Sequence, residues 1–315
     1  MGATPVALAA SCTTQAELQP QDRNALVAEG ERLTAAIFQQ DYSTLQAQLL
    51  PAISAQWDGI HNEVELGAPL LKGGQVQLQE IYLLDASSQT ATTDTQFFCS
   101  NASGSLTVTV NMHALPPGKY AVLLANAAGA TLGGQIGLVL VWDPTGSTPG
   151  WKLGGVSVRQ GSIDGHDGVW FWTHARALST SGGPWSAWYD YDFARYLLLP
   201  VDFLSSPNME KLDREQSDLK PEPGPFPLLL ADGARTWKIE GIRIDASLRQ
   251  ADLGVTYDSL GLVDPAAART EAIAVMSAVL KAHPELKANF HGVWAYAAKD
   301  GKVSPVIELP MDQIP

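Results

Sequence analysis

The sequence predicts an α+β protein, and three observations carry this prediction. Apolar residues recur at helical spacing over residues 20–72 and with a period of two from residue 75 to residue 159. Aromatic residues are then concentrated at 163–205. Helices followed by antiparallel strands are typical of the α+β class. We expect helices packed on a curved antiparallel sheet, then a helical hairpin, then a small β-β-α-β-β domain.

Composition limits the classes of function. The chain has 315 residues, 45% of them apolar and 17% charged, with a net charge of −13. This length predicts two or three domains, each able to bury a core without metals. Only 20 residues are Lys or Arg, which excludes nucleic-acid binding and a polybasic membrane patch. The longest apolar run, Ile136–Trp142, is too short to span a bilayer.

The first 19 residues are interpreted as the remnant of a signal peptide or a flexible tail. Ala7-Leu8-Ala9 fits the small-x-small pattern before a cleavage site, and Ala9–Cys12 is an imperfect lipobox with Ala where Leu or Val is usual. We expect an exported protein that is periplasmic, outer-membrane-associated or extracellular. The alternative is a flexible Ala-rich tail.

The two cysteines, Cys12 and Cys99, leave alternatives open. In an exported chain they can form a disulfide. Equally, Cys12 can carry a lipid anchor while Cys99 is a buried thiol on a strand. The absence of CxxC spacing excludes a zinc finger and a thioredoxin-type site.

Residues 20–162 are predicted as a cone-like α+β domain. A first helix can be capped by Asp22 or Asn24, a second starts near Asp41 or Ser43, and Pro51 divides or kinks it. A short third helix is expected around Gly59–Glu65. Strands then follow from the alternating pattern, at 76–84, 106–112, 120–125, 135–142 and 151–159.

The order of three helices and a sheet, with the closing strand Gly150-Trp151-Lys152-Leu153, resembles a cone-shaped, cystatin-like superfamily. Its members include nuclear transport factor 2, ketosteroid isomerase and SnoaL. The superfamily contains enzymes and non-catalytic partners, so the resemblance selects no activity. Isomerase-like chemistry would need an acid and an oxyanion donor inside the cone, where the available residues are Asp41, Tyr42, Tyr82 and Asp94.

Residues 163–205 are predicted as an aromatic-rich helical hairpin. Asp167 can cap a helix that runs to about Leu178, and Pro184 suits the first turn of a second helix. Over 167–200 the pattern resembles a single tetratricopeptide-like hairpin, through Trp170, Ala187, Tyr191, Ala194 and Pro200. One such repeat cannot bury its own faces, so we expect the pair to pack on flanking domains.

Residues 206–235 are rich in Pro and charge and are predicted as a linker. Residues 236–315 are predicted as a C-terminal α+β domain, with strands at 237–244 and 253–257, a helix at 265–282, and a hairpin of 288–297 with 303–309. The whole chain resembles a group of uncharacterised bacterial envelope proteins, through Gly-His-Asp-Gly-x-Trp at 165–170 and Phe-Leu-Ser-Ser-Pro-Asn at 203–208. That resemblance implies architecture and no chemistry.

The densest polar cluster contains Asp164, His166, Asp167 and His174. An imidazole beside a carboxylate can act as a general base, which makes His166, Asp167 and His174 the catalytic candidates. All four residues together are the metal-ligand candidates. The interpretation we favour is structural: Asp167 caps the helix, and His174 packs between Trp170 and the following helix.

The aromatic region permits a second site. Four indoles can form a stacking surface for a ligand or a protein partner; they are Trp170, Trp172, Trp185 and Trp188. Because two apolar stripes run along the second helix, we favour a packing role for the region.

The sequence contains no P-loop, G-x-S-x-G or H-E-x-x-H motif, so we assign no catalytic residue and no cofactor. We expect a non-catalytic exported or cell-envelope protein that binds a small ligand or a protein partner. One alternative is an enzyme acting on a small hydrophobic substrate in the N-terminal cone, and another is a subunit of a surface assembly. The interior of the first domain discriminates between them, since converging acid, base and amide groups favour an enzyme.

Overall fold

The computed structural model describes residues 10–100, 107–145, 149–220, 222–233, 235–261 and 264–315. They form an α+β protein, as predicted, with two compact units. The first unit comprises the residues up to Ser162 together with Leu199–Lys211, and the second comprises Ile163–Leu198 with Leu212–Pro315.

The helices, in chain order, are α1 (Pro20–Gln39), α2 (Tyr42–Gln48), α3 (Trp57–Leu71), α4 (Gly168–Ser181), α5 (Pro184–Leu198), α6 (Pro207–Ser217), α7 (Pro265–Ala282) and α8 (Glu285–Asn289). Short 3-10 helices lie at Pro51–Gln56 and Met311–Gln313. The strands are β1 (Ser11–Thr14), β2 (Gln75–Asp85), β3 (Thr93–Ser100), β4 (Thr107–Leu115), β5 (Lys119–Ala128), β6 (Gln135–Asp143), β7 (Gly150–Arg159), β8 (Ser162–Ile163), β9 (His166–Asp167), β10 (Leu204–Ser205), β11 (Leu228–Asp232), β12 (Arg235–Asp245), β13 (Asp252–Asp258), β14 (Gly292–Lys299) and β15 (Lys302–Pro310).

The first unit is built on an antiparallel sheet of order β1-β2-β5-β6-β7. Helix α1 begins at Pro20, which suits a first helical position, and buries Leu26, Leu33 and Ile37 against the sheet. Its close approach depends on Gly30, where a Cβ would lie 2.5 Å from a methyl of Leu123. The core of this unit is therefore a helix layer packed tightly on one face of the sheet.

The helix boundaries predicted near Asp41 and Pro51 are confirmed. Asp41 caps α2, because its carboxylate accepts a hydrogen bond from the backbone N–H of Thr44. Helix α2 ends before Pro51, which opens a 3-10 helix, and α3 follows. Proline lacks the N–H that a continuous helix needs, so the chain divides there.

A second sheet of order β10-β4-β3 lies in the same unit, and a disulfide between Cys12 and Cys99 joins β1 to β3. Of the alternatives that the sequence left open, the structure shows this pairing. A sulfur in a disulfide is not available for a lipid thioether, so the alternative of a lipid anchor at Cys12 is not compatible with this bond.

Strand β1 corrects the interpretation of residues 1–19 as a tail, at least for residues 11–14. Ser11–Thr14 pair antiparallel with Tyr82–Asp85 of β2. Four residues are too short for a period-two pattern to be evident, and this strand is ordered by its partner strand and by the disulfide. Residues 1–9 lie outside the described residues.

The second unit contains a sheet of order β11-β12-β13-β14-β15, in which β13 and β14 are parallel and the other pairs are antiparallel. Helix α7 connects the parallel pair, and it is capped by Asp264. The hairpin of β14 and β15 turns at Asp300 and Gly301, both with positive φ, which is the backbone that a tight hairpin requires.

The segment predicted as a linker contains regular structure. Within 206–235 the chain forms helix α6 and strand β11, which is an edge strand of the five-stranded sheet in the second unit. Its Pro and charge content predicted an extended segment, and the tertiary pairing of β11 with β12 overrides that preference. None of the described helices is long and apolar enough to cross a membrane.

Candidate functional site

An open groove of about 620 Å³ lies between helix α1 and strand β2 of the first unit. On the helix side its apolar lining includes Val27, Ala35 and Phe38, with Glu31 and Thr34 as polar members. Phe38 is 40% exposed, which is unusual for a phenylalanine on a helix that packs on a sheet.

The strand side of the groove is formed by Gln75–Leu78 at the start of β2. This segment pairs with β5 on one side, from Gln75 opposite Ala128 to Leu78 opposite Ala125. On its other side, β1 covers only Tyr82–Asp85. No described strand pairs with the outer edge of Gln75–Gln79, so the backbone N–H and C=O groups that point away from β5 there have no strand partner.

Side chains alternate along this edge. Gln75, Gln77 and Gln79 are exposed, while Val76 and Leu78 are half-buried against the core. A bulge lies next to Gln79, where the register with β5 shifts. An exposed edge with half-buried apolar residues on the helix face provides both backbone hydrogen bonds and apolar contacts to an added strand.

The interior of the first unit is filled. Fully buried aliphatic side chains from the helices and the sheet occupy it, among them Leu33, Ile37, Leu123 and Leu138. The residues that isomerase-like chemistry would need do not converge there. Among the described residues, the core cluster between the helices and the sheet is thus apolar.

Each of those residues has another role. Asp94 on β3 accepts a hydrogen bond of 2.8 Å from the backbone N–H of Ala114. Hydrogen bonds from the Thr44 and Ser43 side chains lower the pKa of the cap residue Asp41 to about 2. Tyr42 stacks on His61 with ring centroids 4.2 Å apart. Tyr82 is buried, which raises its pKa to about 12.

In the second unit, the predicted catalytic and metal candidates take separate roles. The Asp167 carboxylate accepts a hydrogen bond of 2.8 Å from the backbone N–H of Trp170 and so caps α4, as predicted. Asp164 accepts a hydrogen bond of 2.9 Å from the backbone N–H of Ala251. His166 stacks on Trp170 with ring centroids 3.7 Å apart. Among the described residues, these four do not gather into one ligand set.

His174 lies where the structural interpretation placed it, between Trp170 and helix α5. Its ring centroid is 4.5 Å from that of Trp170, and its Nδ1 lies 2.7 Å from Oδ2 of Asp190. The other oxygen of Asp190 accepts a hydrogen bond of 2.9 Å from the Asn289 side chain. Asp190 is only 1% exposed, and this burial raises its pKa to about 6 although the hydrogen bonds from His174 and Asn289 lower it.

A histidine held by a buried carboxylate can serve as a general base or can join two elements. Here both oxygens of Asp190 are used within the unit, and the imidazole is covered by Trp170. The set therefore links α4, α5 and α8. Sequence analysis missed Asp190 and Asn289, because they lie 16 and 115 residues from His174 and share no motif with it.

The four tryptophans differ in exposure. Trp170 is 38% exposed, whereas Trp185 is buried and stacks on His283 with ring centroids 3.4 Å apart. The Trp172 indole N–H donates to Glu215, and the Arg176 guanidinium lies over its ring. Trp188 is half-buried. These contacts account for much of the aromatic surface within the unit and leave Trp170 as its most exposed indole.

Comparison of the chain with protein families, with curated proteins and with solved structures finds no match. The resemblances to the cone-shaped superfamily, to a tetratricopeptide-like hairpin and to bacterial envelope proteins stay predictions.

Proposed function

We propose that this chain is a non-catalytic exported protein that binds an extended segment of a partner polypeptide in the groove between α1 and β2. The observation that carries the proposal is the edge of Gln75–Gln79, which no described strand covers, beside the exposed ring of Phe38. Strand addition supplies affinity through the backbone, and side-chain pockets supply selectivity. Strand β1 binds the same edge of β2 further along, at Tyr82–Asp85.

The chemistry of the groove defines the partner segment. Val27, Ala35 and Phe38 favour an apolar side chain on the inward face of an added strand. Glu31 and the net charge of −13 disfavour an acidic peptide. We therefore expect a segment of about five residues that alternates apolar and neutral or basic side chains, matching the length of the open edge.

Two further observations support the proposal. The filled interior of the first unit gives no support to an enzyme with a substrate in the cone. The disulfide between Cys12 and Cys99 suits an oxidising compartment outside the cytosol, in keeping with a periplasmic, outer-membrane-associated or extracellular location.

Peptide-display selection on the full chain tests the binding site, with Phe38→Ser as the groove variant. Phe98→Ser is the matched control, because Phe98 is an aromatic residue of the same unit that is 64% exposed on β3. We expect selected peptides to bind the native chain and to lose about tenfold or more in affinity with Phe38→Ser, the effect of truncating an aromatic contact. Binding to the Phe98→Ser variant is expected to be unchanged.

Hydrogen exchange with the selected peptide reports on the edge itself. Added protection at the amides of Gln75–Gln79 is expected. Equal peptide binding by the native chain and Phe38→Ser, or no protection at Gln75–Gln79, contradicts the proposal. A dimer in light scattering that Phe38→Ser converts to a monomer would show instead that the edge pairs with a second copy.

A further inference from the structure

Three side chains outside the groove meet at one end of the sheet in the second unit. Asp252 begins β13, His291 directly precedes β14, and Glu308 lies near the end of β15. The parallel register places Asp252 beside Gly292, and the antiparallel register places Gly292 beside Pro310. One potential ligand atom from each of Asp252, His291 and Glu308 lies within 4.8 Å of the others.

Two carboxylate oxygens of this cluster are buried without a hydrogen-bond donor among the described residues. Asp252 is 0% exposed, and its Oδ1 lies 2.8 Å from Nδ1 of His291. Its Oδ2 has no partner, and neither has Oε1 of Glu308. A buried carboxylate oxygen without a donor costs free energy, and proteins leave few such groups unless something else satisfies them.

Gly292 provides the space in which the two carboxylates converge. A Cβ at this position would lie 2.5 Å from Oε1 of Glu308 and 3.0 Å from Oδ1 of Asp252. Any other residue at 292 would displace them. The absence of a side chain here therefore keeps open the space between the two acids.

The surrounding charge is negative. Asp245 is the cross-strand neighbour of Asp252, and the charges of Asp245 and Asp164 both act on Asp252. Asp245 has its own donors, Ser247 and the Tyr296 hydroxyl. Burial raises the pKa of Asp252 and of Glu308, and the charge of Asp252 adds to the effect on Glu308. A bound cation would neutralise this repulsion.

We propose that Asp252, His291 and Glu308 bind one divalent transition-metal cation. One imidazole nitrogen with two carboxylate oxygens suits zinc or manganese, since the imidazole favours these over the oxygen-only coordination of Ca²⁺ and Mg²⁺. The His291 side chain is 31% exposed, which gives the cation a route from solvent. Three protein ligands leave coordination positions for water or for a group from a bound molecule.

Titration calorimetry of the full chain with Zn²⁺ alone, after treatment with EDTA, tests the site, and Mn²⁺ is titrated in parallel. We expect one cation per chain and a higher melting temperature in its presence, because binding to the native state stabilises it. Glu308→Gln and His291→Gln are expected to weaken binding by at least about 10–100-fold, the loss that even an outer-shell change produces.

His174→Gln is the matched control, since His174 also bonds a buried aspartate but has no unpartnered oxygen beside it. It is expected to bind Zn²⁺ as the native chain does. Circular dichroism of each variant establishes that it is folded. Absence of Zn²⁺ and Mn²⁺ binding by the native chain overturns the proposal, as does equal binding by folded Glu308→Gln and His291→Gln. If the native chain binds no cation and Glu308→Gln raises its melting temperature, the carboxyl groups of Asp252 and Glu308 share a proton instead.

Discussion

The two units differ in the polar groups that they bury. Among the described residues, the buried polar side chains of the first unit are uncharged: Thr14, Thr34, Thr95, Thr109 and Gln160. The second unit buries four carboxylates: Asp190, Asp245, Asp252 and Glu271. The first unit is stabilised by apolar burial and a disulfide, whereas the stability of the second depends on how its buried acids are paired, and hence on pH and on bound cations.

Two histidine–aspartate pairs of the second unit sharpen this contrast. Asp190 gives one oxygen to His174 and the other to Asn289, so its hydrogen bonding is complete within the chain. Asp252 gives one oxygen to His291 and has no donor for the other among the described residues. The same residue pair is thus a structural link in one place and a candidate binding site in another, and the second oxygen decides which.

The largest expected effect concerns the disulfide of the first unit. Replacing Cys12 and Cys99 by serine releases a link between residues 87 apart in sequence, and this should lower the free energy of unfolding of that unit by about 3–4.7 kcal/mol. Hydrogen exchange measured by mass spectrometry separates the units, with α3 reporting on the first and α7 on the second. Equal loss of protection in α3 and α7 would contradict the expectation that the disulfide stabilises the first unit alone.

A smaller loss is expected from Asp190→Ala. The substitution leaves His174 and Asn289 without their common partner. We expect a destabilisation of about 3 kcal/mol, which is at the low end for a broken buried pair because a third of the His174 side chain is exposed.

Asp252→Asn is the matched variant. With EDTA present it should change stability by less than about 1 kcal/mol, because an amide can donate to Glu308 and one buried charge is removed. Urea denaturation of both variants tests this. Equal losses would show that the two pairs have the same role.

The smallest expected effect is on the pH dependence of the second unit. The pKa of Asp190 is about 6 in the folded chain, compared with 3.8 in the unfolded chain. The native state therefore binds more protons between these values, so stability falls as pH rises from about 4 to 6, by about 2 kcal/mol for this group over that window. Burial also raises the pKa of Asp192 to about 6, which acts in the same direction.

Urea denaturation at pH 4, 5, 6 and 7 measures this slope. Asp190→Asn removes the group and is expected to flatten the slope in the second unit. The first unit, with no buried carboxylate among its described residues, is expected to stay flat over the same window. If the pH dependence of stability is the same in Asp190→Asn as in the native chain, other acidic residues cause it.

Local sequence patterns were sufficient for most of the long elements, but not for β3 or α6. Asp41, Pro51 and Asp167 mark helix ends by mechanisms that act within one turn of the chain, and the structure uses each of them as expected. The caps predicted for the first helix, Asp22 and Asn24, were wrong, because α1 begins at Pro20 and both residues lie inside it. Strands β5 and β6 are evident from short apolar runs, and the structure buries consecutive residues in each, at 120–123 and at 136–138. A strand of four residues is too short to show a periodic pattern, and β1 was missed for that reason.

The sequence by itself determined the α+β class, the main helices and strands, the capping role of Asp167 and the packing of His174 against Trp170. Only the tertiary structure decided which edge of β2 stays open, that Cys12 bonds to Cys99, and that Asp252, His291 and Glu308 meet. The physical reason is range. Caps and periodicity depend on residues a few positions apart, whereas an open edge or a three-residue cluster depends on strand register between segments as many as 74 residues apart, as for Ser11 and Asp85.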